Sequence, residues 1–395
     1  MPYGEGFLTL NVDCTVLKPS ASFPRRPLSN LLRESLDSPI AERRIEELKG
    51  EKAVILVDDY TRSTPAKEII PEVAERLKKV VKGDLSILVA SGTHRRMSEK
   101  ELEAKLGEAY NVFPVAQHNP DDNLLFLGET SRGTPVWVNS EAVKADIIVS
   151  IGSVAPHNIH GWSGGAKIIV PGVAGRVTIA SNHRLAEHPL TRFGVAESPA
   201  RLDAEEAAGK LSKLFSINIV RGCDASVIHV SSGNFVAAHR MAVKAAVEAV
   251  GVKAPWSADV VVASSHPYDN DLWQAGKALF SAANIAEEGA TIILVSPLRE
   301  GVCTHYPEFE DFLALPVEEL RRKMSTNPLE ATIALQVKRL QERFNCVLVS
   351  KGVGEDQAER IGFKWRPSLQ GAVDEVADSG SKVAVIPNAL IYPYR

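Results

Sequence analysis

The sequence predicts an α/β protein of two domains, each with a mostly parallel sheet flanked by helices. Three observations carry this. Short β-branched runs alternate with helix-period segments almost throughout the chain. The first two runs, Ala53–Val57 (AVILV) and Leu85–Ala90 (LSILVA), are apolar on both faces, as buried parallel strands are. A break at 251–259 (GVKAPWSAD), where proline interrupts the pattern, separates one such alternation from a second.

The elements follow in order. Thr64-Pro65 reads as a helix cap with proline at the first helical position, and the amphipathic segment Ala66–Val80 supplies the crossover between the first two strands. Ser98-Glu99-Lys100-Glu101 fits a capping box opening another helix. Ala145–Ile151, Phe215–Val220 and Ala225–Val230 are further strand candidates, and Asn234–Val250 is helical. In the second alternation the candidates are strand Val260–Ser264, a helix around Leu272–Ile285 and strand Thr291–Val295. Two helices across Pro307–Phe344 and strands Cys346–Ser350 and Val383–Ile386 complete it. Pro19–Pro27 reads as an extended loop. The expected domains are therefore 1–254 and 255–395, with the last residues free to pack back on the first domain.

Composition narrows the function. With 395 residues, two domains are the natural division. Hydrophobic residues at 45% and charged residues at 24% are the balance of a globular chain, which excludes a disordered tail protein. No apolar stretch approaches the ~18–20 residues a membrane span needs, so no membrane partner is expected. The net charge of −4 gives no case for nucleic acid. Cys14, Cys223, Cys303 and Cys346 are scattered, without a CxxC pair, and the opening residues lack a basic, then apolar, signal pattern. Both point to a cytoplasmic location.

In open α/β sheets ligands bind beyond the carboxyl ends of strands, and three segments change character there. After AVILV comes Asp58-Asp59-Tyr60-Thr61-Arg62-Ser63-Thr64-Pro65, where an Asp and an Arg either contact a ligand or form a capped, salt-bridged turn. After LSILVA comes Ser91-Gly92-Thr93-His94-Arg95-Arg96, in which His94 is a candidate acid–base group. The third is Gly152–Lys167, with Gly164-Gly165 just ahead of Lys167. It is not a P-loop, because Ala166 and Ile168 stand where that pattern needs glycine and a hydroxyl. Lys167 is then either a phosphate contact or, as a desolvated amine, a covalent anchor. His157, His160 and His183 raise the question of a metal, but no carboxylate or HExxH pattern completes a zinc site. His183 could hold a metal while His157 handles protons. Gln274 and Lys277 share a helix face in the second domain.

Taken together these segments resemble the nickel-pincer lactate racemase family. The resemblance rests on five motifs in order: DDxTRxTP at Asp58–Pro65, GTHR at Gly92–Arg95, PHxxxGxSGGxK at Pro156–Lys167 followed by Pro171-Gly172, NH at Asn182-His183, and QxxK at Gln274–Lys277. It implies a racemase or epimerase of a small, lactate-like 2-hydroxy acid, working by proton-coupled hydride transfer. It implies nickel and a pyridinium-3,5-bisthiocarboxylate mononucleotide joined to Lys167 through a thioamide, with His183 as the protein ligand to the metal. His94 and His157 match the acid–base pair, and Asp59, Tyr60, Thr61 and Arg62 the segment touching cofactor and substrate. Arg62, Gln274 and Lys277 match substrate contacts, and the implied site lies in a cleft between the domains. Cofactor-making enzymes are implied as maturation partners.

The chain departs from the family pattern at several positions. Ser63 stands where a proline is expected, Ala166 where an arginine is common, and Trp273 where the lactate enzyme has a tyrosine; His160 and Trp162 add bulk or polarity. These keep other substrates open, such as malate or a sugar acid, with Arg95 or Arg96 reading a second carboxylate. A zinc hydrolase using the three histidines and a non-catalytic nucleotide-binding or carrier protein are the readings from other classes.

Overall fold

The computed structural model describes residues 1–211 and 213–395, which divide into two units. One is contiguous, Ser22–Ala249; the other joins Met1–Ala21 to Val250–Arg395.

The contiguous unit is built on six strands in the order Val227–Asn234, Leu214–Arg221, Ile147–Val154, Ala53–Asp58, Leu85–Ala90 and Val115–Gln117. All neighbours are parallel except the first pair. Side chains alternate between the faces of a strand, and here both faces are covered. Ile55, Val57, Ile87, Val89, Val149 and Ile217 pack on one face against Leu32 and Leu36 of helix Leu28–Asp37 and Ile69, Ile70 and Val73 of helix Ala66–Lys78. The intervening Val54, Leu56, Leu88 and Ile148 are buried as well. The strand order reverses between Ala53–Asp58 and Ile147–Val154, which follow each other in space but not in sequence. That switch point is where an open parallel sheet leaves a crevice at its carboxyl edge.

The main sheet of the second unit has six strands, all parallel, in the order Lys364–Trp365, Asn345–Val349, Ala286–Val295, Ala258–Ser264, Val383–Ile386 and Thr15–Val16. Its sheet face carries Val260, Val262, Ile293, Val347 and Val385, and Met1, Tyr3, Leu8, Leu10 and Val12 pack against them. This corrects the expected division: the first 21 residues belong with the C-terminal unit, because Thr15–Val16 extends its sheet beside Ala384–Val385. The last strand, Tyr392–Tyr394, pairs with Gly251–Lys253, and both lie in that same unit.

Local differences have local causes. Pro65, not Thr64, occupies the cap position of helix Ala66–Lys78 without a side-chain cap, because the Thr64 hydroxyl is engaged by Asp58 and Ser153. The Ser98–Glu101 capping box is present. Pro307–Phe344 holds three helices, Phe309–Ala314, Val317–Lys323 and Pro328–Arg343, since Pro316 and Pro328 each start a new one. Among the described residues, no helix is long and apolar enough to cross a membrane.

Candidate active site

The loop after Ala53–Asp58 is held from below. Lys105, on helix Glu99–Leu106, donates to Asp58 Oδ1 at 2.6 Å, to the Asp59 carbonyl at 3.1 Å and to the Arg62 carbonyl at 2.9 Å. The other Asp58 oxygen takes the Thr64 hydroxyl, which in turn meets Ser153 Oγ at 2.6 Å. Two switch-point strands are thereby tied together at their carboxyl ends. Next along the chain, Asp59 accepts the Thr61 amide at 3.0 Å and its hydroxyl at 2.5 Å, which folds the loop back on itself. Arg62 lies across Thr61, donating to its carbonyl at 3.1 Å and its hydroxyl at 2.8 Å.

The free oxygen of that turn meets the neighbouring strand end: Asp59 Oδ2 lies 2.6 Å from His94 Nδ1. Burial alone would raise the Asp59 carboxyl, but the His94 charge and hydrogen bond, Arg62 and Thr61 outweigh it and hold it well below the usual carboxylate range. A carboxylate at Nδ1 fixes the proton there in the neutral ring, so Nε2 carries the lone pair.

His157 is held the opposite way. Pro156–His157 pairs antiparallel with Gly161–Trp162, and within this tight hairpin His157 Nδ1 accepts the amides of Ile159 at 3.1 Å and His160 at 3.3 Å. Its Nδ1 carries the lone pair, so the proton of the neutral ring sits on Nε2. The rings of His157, His160 and His183 run in sequence, with centroids 5.6 and 5.5 Å apart.

The glycine loop then turns the chain towards Lys167. Gly164 and Gly165 have φ of +79° and +55°, and a Cβ on Gly164 would stand 2.7 Å from Val154 Cγ2. The Gly165 amide is held by Asn218 Oδ1 at 2.9 Å from the adjacent strand. Arg201, fully buried, donates to the carbonyls of His160, Trp162 and Gly164 and so staples the loop. His239 reaches the Ser163 carbonyl at 2.9 Å.

Lys167 sits on the short turn Gly165–Ile168. Burial pushes its amine well below the ordinary lysine value, and the Arg62 and Arg201 cations push the same way against the partial offset of Asp59 and Asp58. Among the described residues its Nζ has no hydrogen-bond or ion-pair partner. His183, on helix Arg176–Arg184, is held down to about 3 by burial and then by Lys167, and it also feels His94. Its buried Nδ1 has no partner meeting hydrogen-bond geometry. One switch-point site therefore gathers Asp59, Thr61, Arg62, His94, His157, Lys167 and His183.

A model of the lactate racemase N-terminal domain matches residues 3–194, and one of the lactate racemase C-terminal domain matches 253–391. The chain belongs to the lactate racemase family. That makes it an isomerase by family. The lactate racemase of Lactiplantibacillus plantarum is 28% identical over 418 residues, spanning 99% of this chain and 98% of its own length. That of Thermoanaerobacterium thermosaccharolyticum is 28% identical over 318 residues, spanning 76% and 74%. The lactate racemase apoprotein structure from the latter organism superposes with a TM-score of 0.90 at 22% identity, covering 100% of this chain and 99% of that one. A Thermotoga maritima protein structure matches at 0.73 and 20% identity, covering 94% and 99%.

Not every residue expected at the racemase site faces the same task. Tyr60 packs against the hydrophobic core, and the Arg95 guanidinium lies 3.9 Å from its ring centre. Arg95 also forms a two-pronged pair with Glu101 at 2.9 and 2.7 Å, so its charge is matched within the unit; Arg96 is exposed. In the other unit, Gln274 and Lys277 are buried on helix Leu272–Ala283 and hydrogen-bond to each other, with Lys277 Nζ 4.2 Å from the Tyr268 ring centre. The three-histidine row does not make a ligand set: among the described residues, the group bringing three ligand atoms within 4.8 Å is Asp271, Cys303 and His305.

Sequence reasoning missed Lys105, Arg201, Asn218 and His239. Lys105 sits in a charged helix that reads as a solvated face, and Arg201 in a helix start with no local pattern around it.

Proposed function

We propose that the chain racemises or epimerises a small 2-hydroxy acid, lactate first, on a lysine-tethered nickel-pincer nucleotide in the cytoplasm. The observation that carries the reading is the opposite anchoring of two histidines at one site: His94 through Nδ1–H to a carboxylate, His157 through Nδ1 from two amides. Inverting a carbinol carbon requires proton traffic at an oxygen that changes position, and the pair supplies one acceptor and one donor nitrogen.

The residues fit the implied group. A neutral, unpartnered amine is the form of lysine that bonds covalently to a carboxyl-derived carbon, and burial with Arg62 and Arg201 shifts Lys167 towards it. His183 is neutral, because burial and Lys167 outweigh the backbone carbonyl of Ile179, and a neutral imidazole is the form that a metal takes. The group, when bound, supplies the acceptor and donor of hydride, which spares the reaction a carbanion beside a carboxylate.

The chain's own side chains do the rest. His94 takes the hydroxyl proton at Nε2, and Asp59 stabilises the imidazolium that results. His157 holds its proton towards the oxygen from Nε2. Arg62 binds the substrate carboxylate by charge-assisted hydrogen bonds, and the reading assigns Gln274 and Lys277 to the substrate as well. Maturation then needs the enzymes that make the nucleotide. The matched charge of Arg95 favours a monocarboxylate over malate.

The test is co-expression with the cofactor-making enzymes, followed by intact mass, nickel content and a chiral screen of 2-hydroxy acids. A nickel-bearing adduct, lost in Lys167→Ala and accompanied by inversion of lactate, is expected. Absence of an adduct under conditions that load an authentic lactate racemase overturns the pincer chemistry; an adduct with no inverted acid overturns the catalytic reading.

A further inference from the structure

The C-terminal unit holds three metal-type donors that the racemase chemistry does not use. Asp271 caps helix Leu272–Ala283, accepting the Gln274 amide on Oδ1 at 2.8 Å. Its Oδ2 lies 3.8 Å from His305 Nε2, beyond hydrogen-bond length, and both side chains are nearly buried. Cys303 completes the group, with one donor atom from each residue within 4.8 Å of the others.

The surroundings pre-form the arrangement. The segment carrying Cys303 and His305 is docked on the helix start by backbone bonds: Leu272 and Trp273 donate to the Val302 carbonyl at 3.1 and 3.3 Å, and Glu300 donates to Asn270 at 2.7 Å. Trp273 stacks on Tyr306 with centroids 4.9 Å apart and meets Phe309 edge-on at 4.8 Å, which walls the donors with aromatic surface. Donors fixed on two segments before binding lose little freedom on binding.

Chemistry then selects the ion. Tetrahedral zinc with bonds of 2.0–2.3 Å sets its ligand atoms roughly 3.3–3.6 Å apart, so the Asp271–His305 spacing of 3.8 Å contracts by about 0.4–0.5 Å and the Cys303 sulfur draws in from within 4.8 Å. Burial and Asp271 push the Cys303 thiol up to about 12, so binding releases its proton to solvent. The resulting thiolate with one imidazole and one carboxylate is a borderline-soft set that suits zinc, cobalt or nickel and disfavours magnesium or calcium. We propose that Asp271, Cys303 and His305 bind one zinc-class divalent ion, with a fourth, exchangeable position. The ion pins the 300–306 segment to the start of the helix that carries Gln274 and Lys277. All three donors belong to the C-terminal unit, whereas Lys167 and His183 belong to the other.

The experiment uses the full chain carrying Lys167→Ala and His183→Ala, made without the cofactor enzymes, stripped by chelator and titrated with cobalt(II). The expected result is about one cobalt per chain, with an ultraviolet thiolate-to-cobalt band that zinc displaces. Cys303→Ser abolishes the band and weakens binding at least about tenfold, whereas Cys223→Ser leaves both unchanged. A mutation-free arm follows alkylation: zinc slows modification of Cys303 but not of Cys223, mapped by mass spectrometry. Stoichiometry far below one, a band that survives Cys303→Ser, or equal alkylation with and without zinc overturns the proposal. Each leaves the racemase reading standing, since the variant chain cannot carry the nucleotide.

Discussion

Asp59 Oδ2 and His94 Nδ1 stand 2.6 Å apart across two neighbouring strand ends, and the carboxylate is almost completely buried. The contact sets which nitrogen of His94 holds a proton, because an acceptor at Nδ1 leaves the lone pair at Nε2. Asp59→Asn reverses that when its amide donates. In the cofactor-loaded enzyme we expect kcat to fall about 10²–10⁴-fold, with KM changed little. Nitrogen NMR of the apo chain should show the His94 tautomer switching. An unchanged kcat would falsify the role.

Lys167 should be the most reactive lysine at mild pH. Its amine lies well below the ordinary lysine value, first through burial and then through Arg62 and Arg201, so at about pH 7.5 more of it is neutral than of any exposed lysine. Brief treatment with a small acylating reagent, read by peptide mass spectrometry, is expected to modify Lys167 ahead of the exposed Lys18, Lys52 and Lys82. Random modification across the chain would show that the amine is protonated like the rest.

Arg201 carries three carbonyls of the loop that presents Lys167. Arg201→Leu leaves those oxygens without their donor in a buried setting, at a cost of about 3–5 kcal/mol. The readout is the urea midpoint, together with loss of the Lys167 reactivity advantage as the loop relaxes. Arg201→Lys should recover part of the stability, since one ammonium reaches fewer of the carbonyls. A Leu variant as stable as the parent sinks the idea.

His118 links stability to acid. It donates from Nε2 to the Ala174 carbonyl at 2.9 Å and meets Asn139 at Nδ1, a neutral ring with both nitrogens used. Burial lowers it to about 4, against the partial offset of Ala174. A histidine whose folded value is depressed takes its proton first in the unfolded chain. Its contribution is therefore whole above about pH 6.5 and shrinks by about 1.4 kcal/mol per pH unit down to about 4. The gap in unfolding free energy between wild type and His118→Gln should narrow by about 3 kcal/mol across that window. Parallel pH profiles would rule His118 out as the source.

Much of this site is written in local sequence. Strand ends betray themselves where AVILV gives way to Asp58-Asp59 and LSILVA to Ser91-Gly92, so Asp59, His94 and Lys167 could be found by looking there. Strand Val383–Ile386 and the capping box at Ser98 likewise need only their own few residues. What stays hidden depends on distant partners. Lys105 is one more charge on a helix until the fold sets it against Asp58, which is 47 positions away. The hairpin Leu124–Glu129 with Pro135–Asn139 escaped because its exposed Phe126 and Trp137 blur the alternation that marks a half-buried strand. Residues 1–21 contain too short a strand to announce its sheet.

That short strand has a consequence during synthesis. Thr15 pairs with Ala384, so this strand is made long before its partner is translated. At about 5–20 residues per second the wait is on the order of twenty to seventy seconds. Throughout it Leu8, Leu10 and Val12 lack the surface they later cover, and a chaperone that binds apolar segments has its opportunity there. Residues 22–249 face no such delay, because every strand of their sheet has been translated before residue 250 is added.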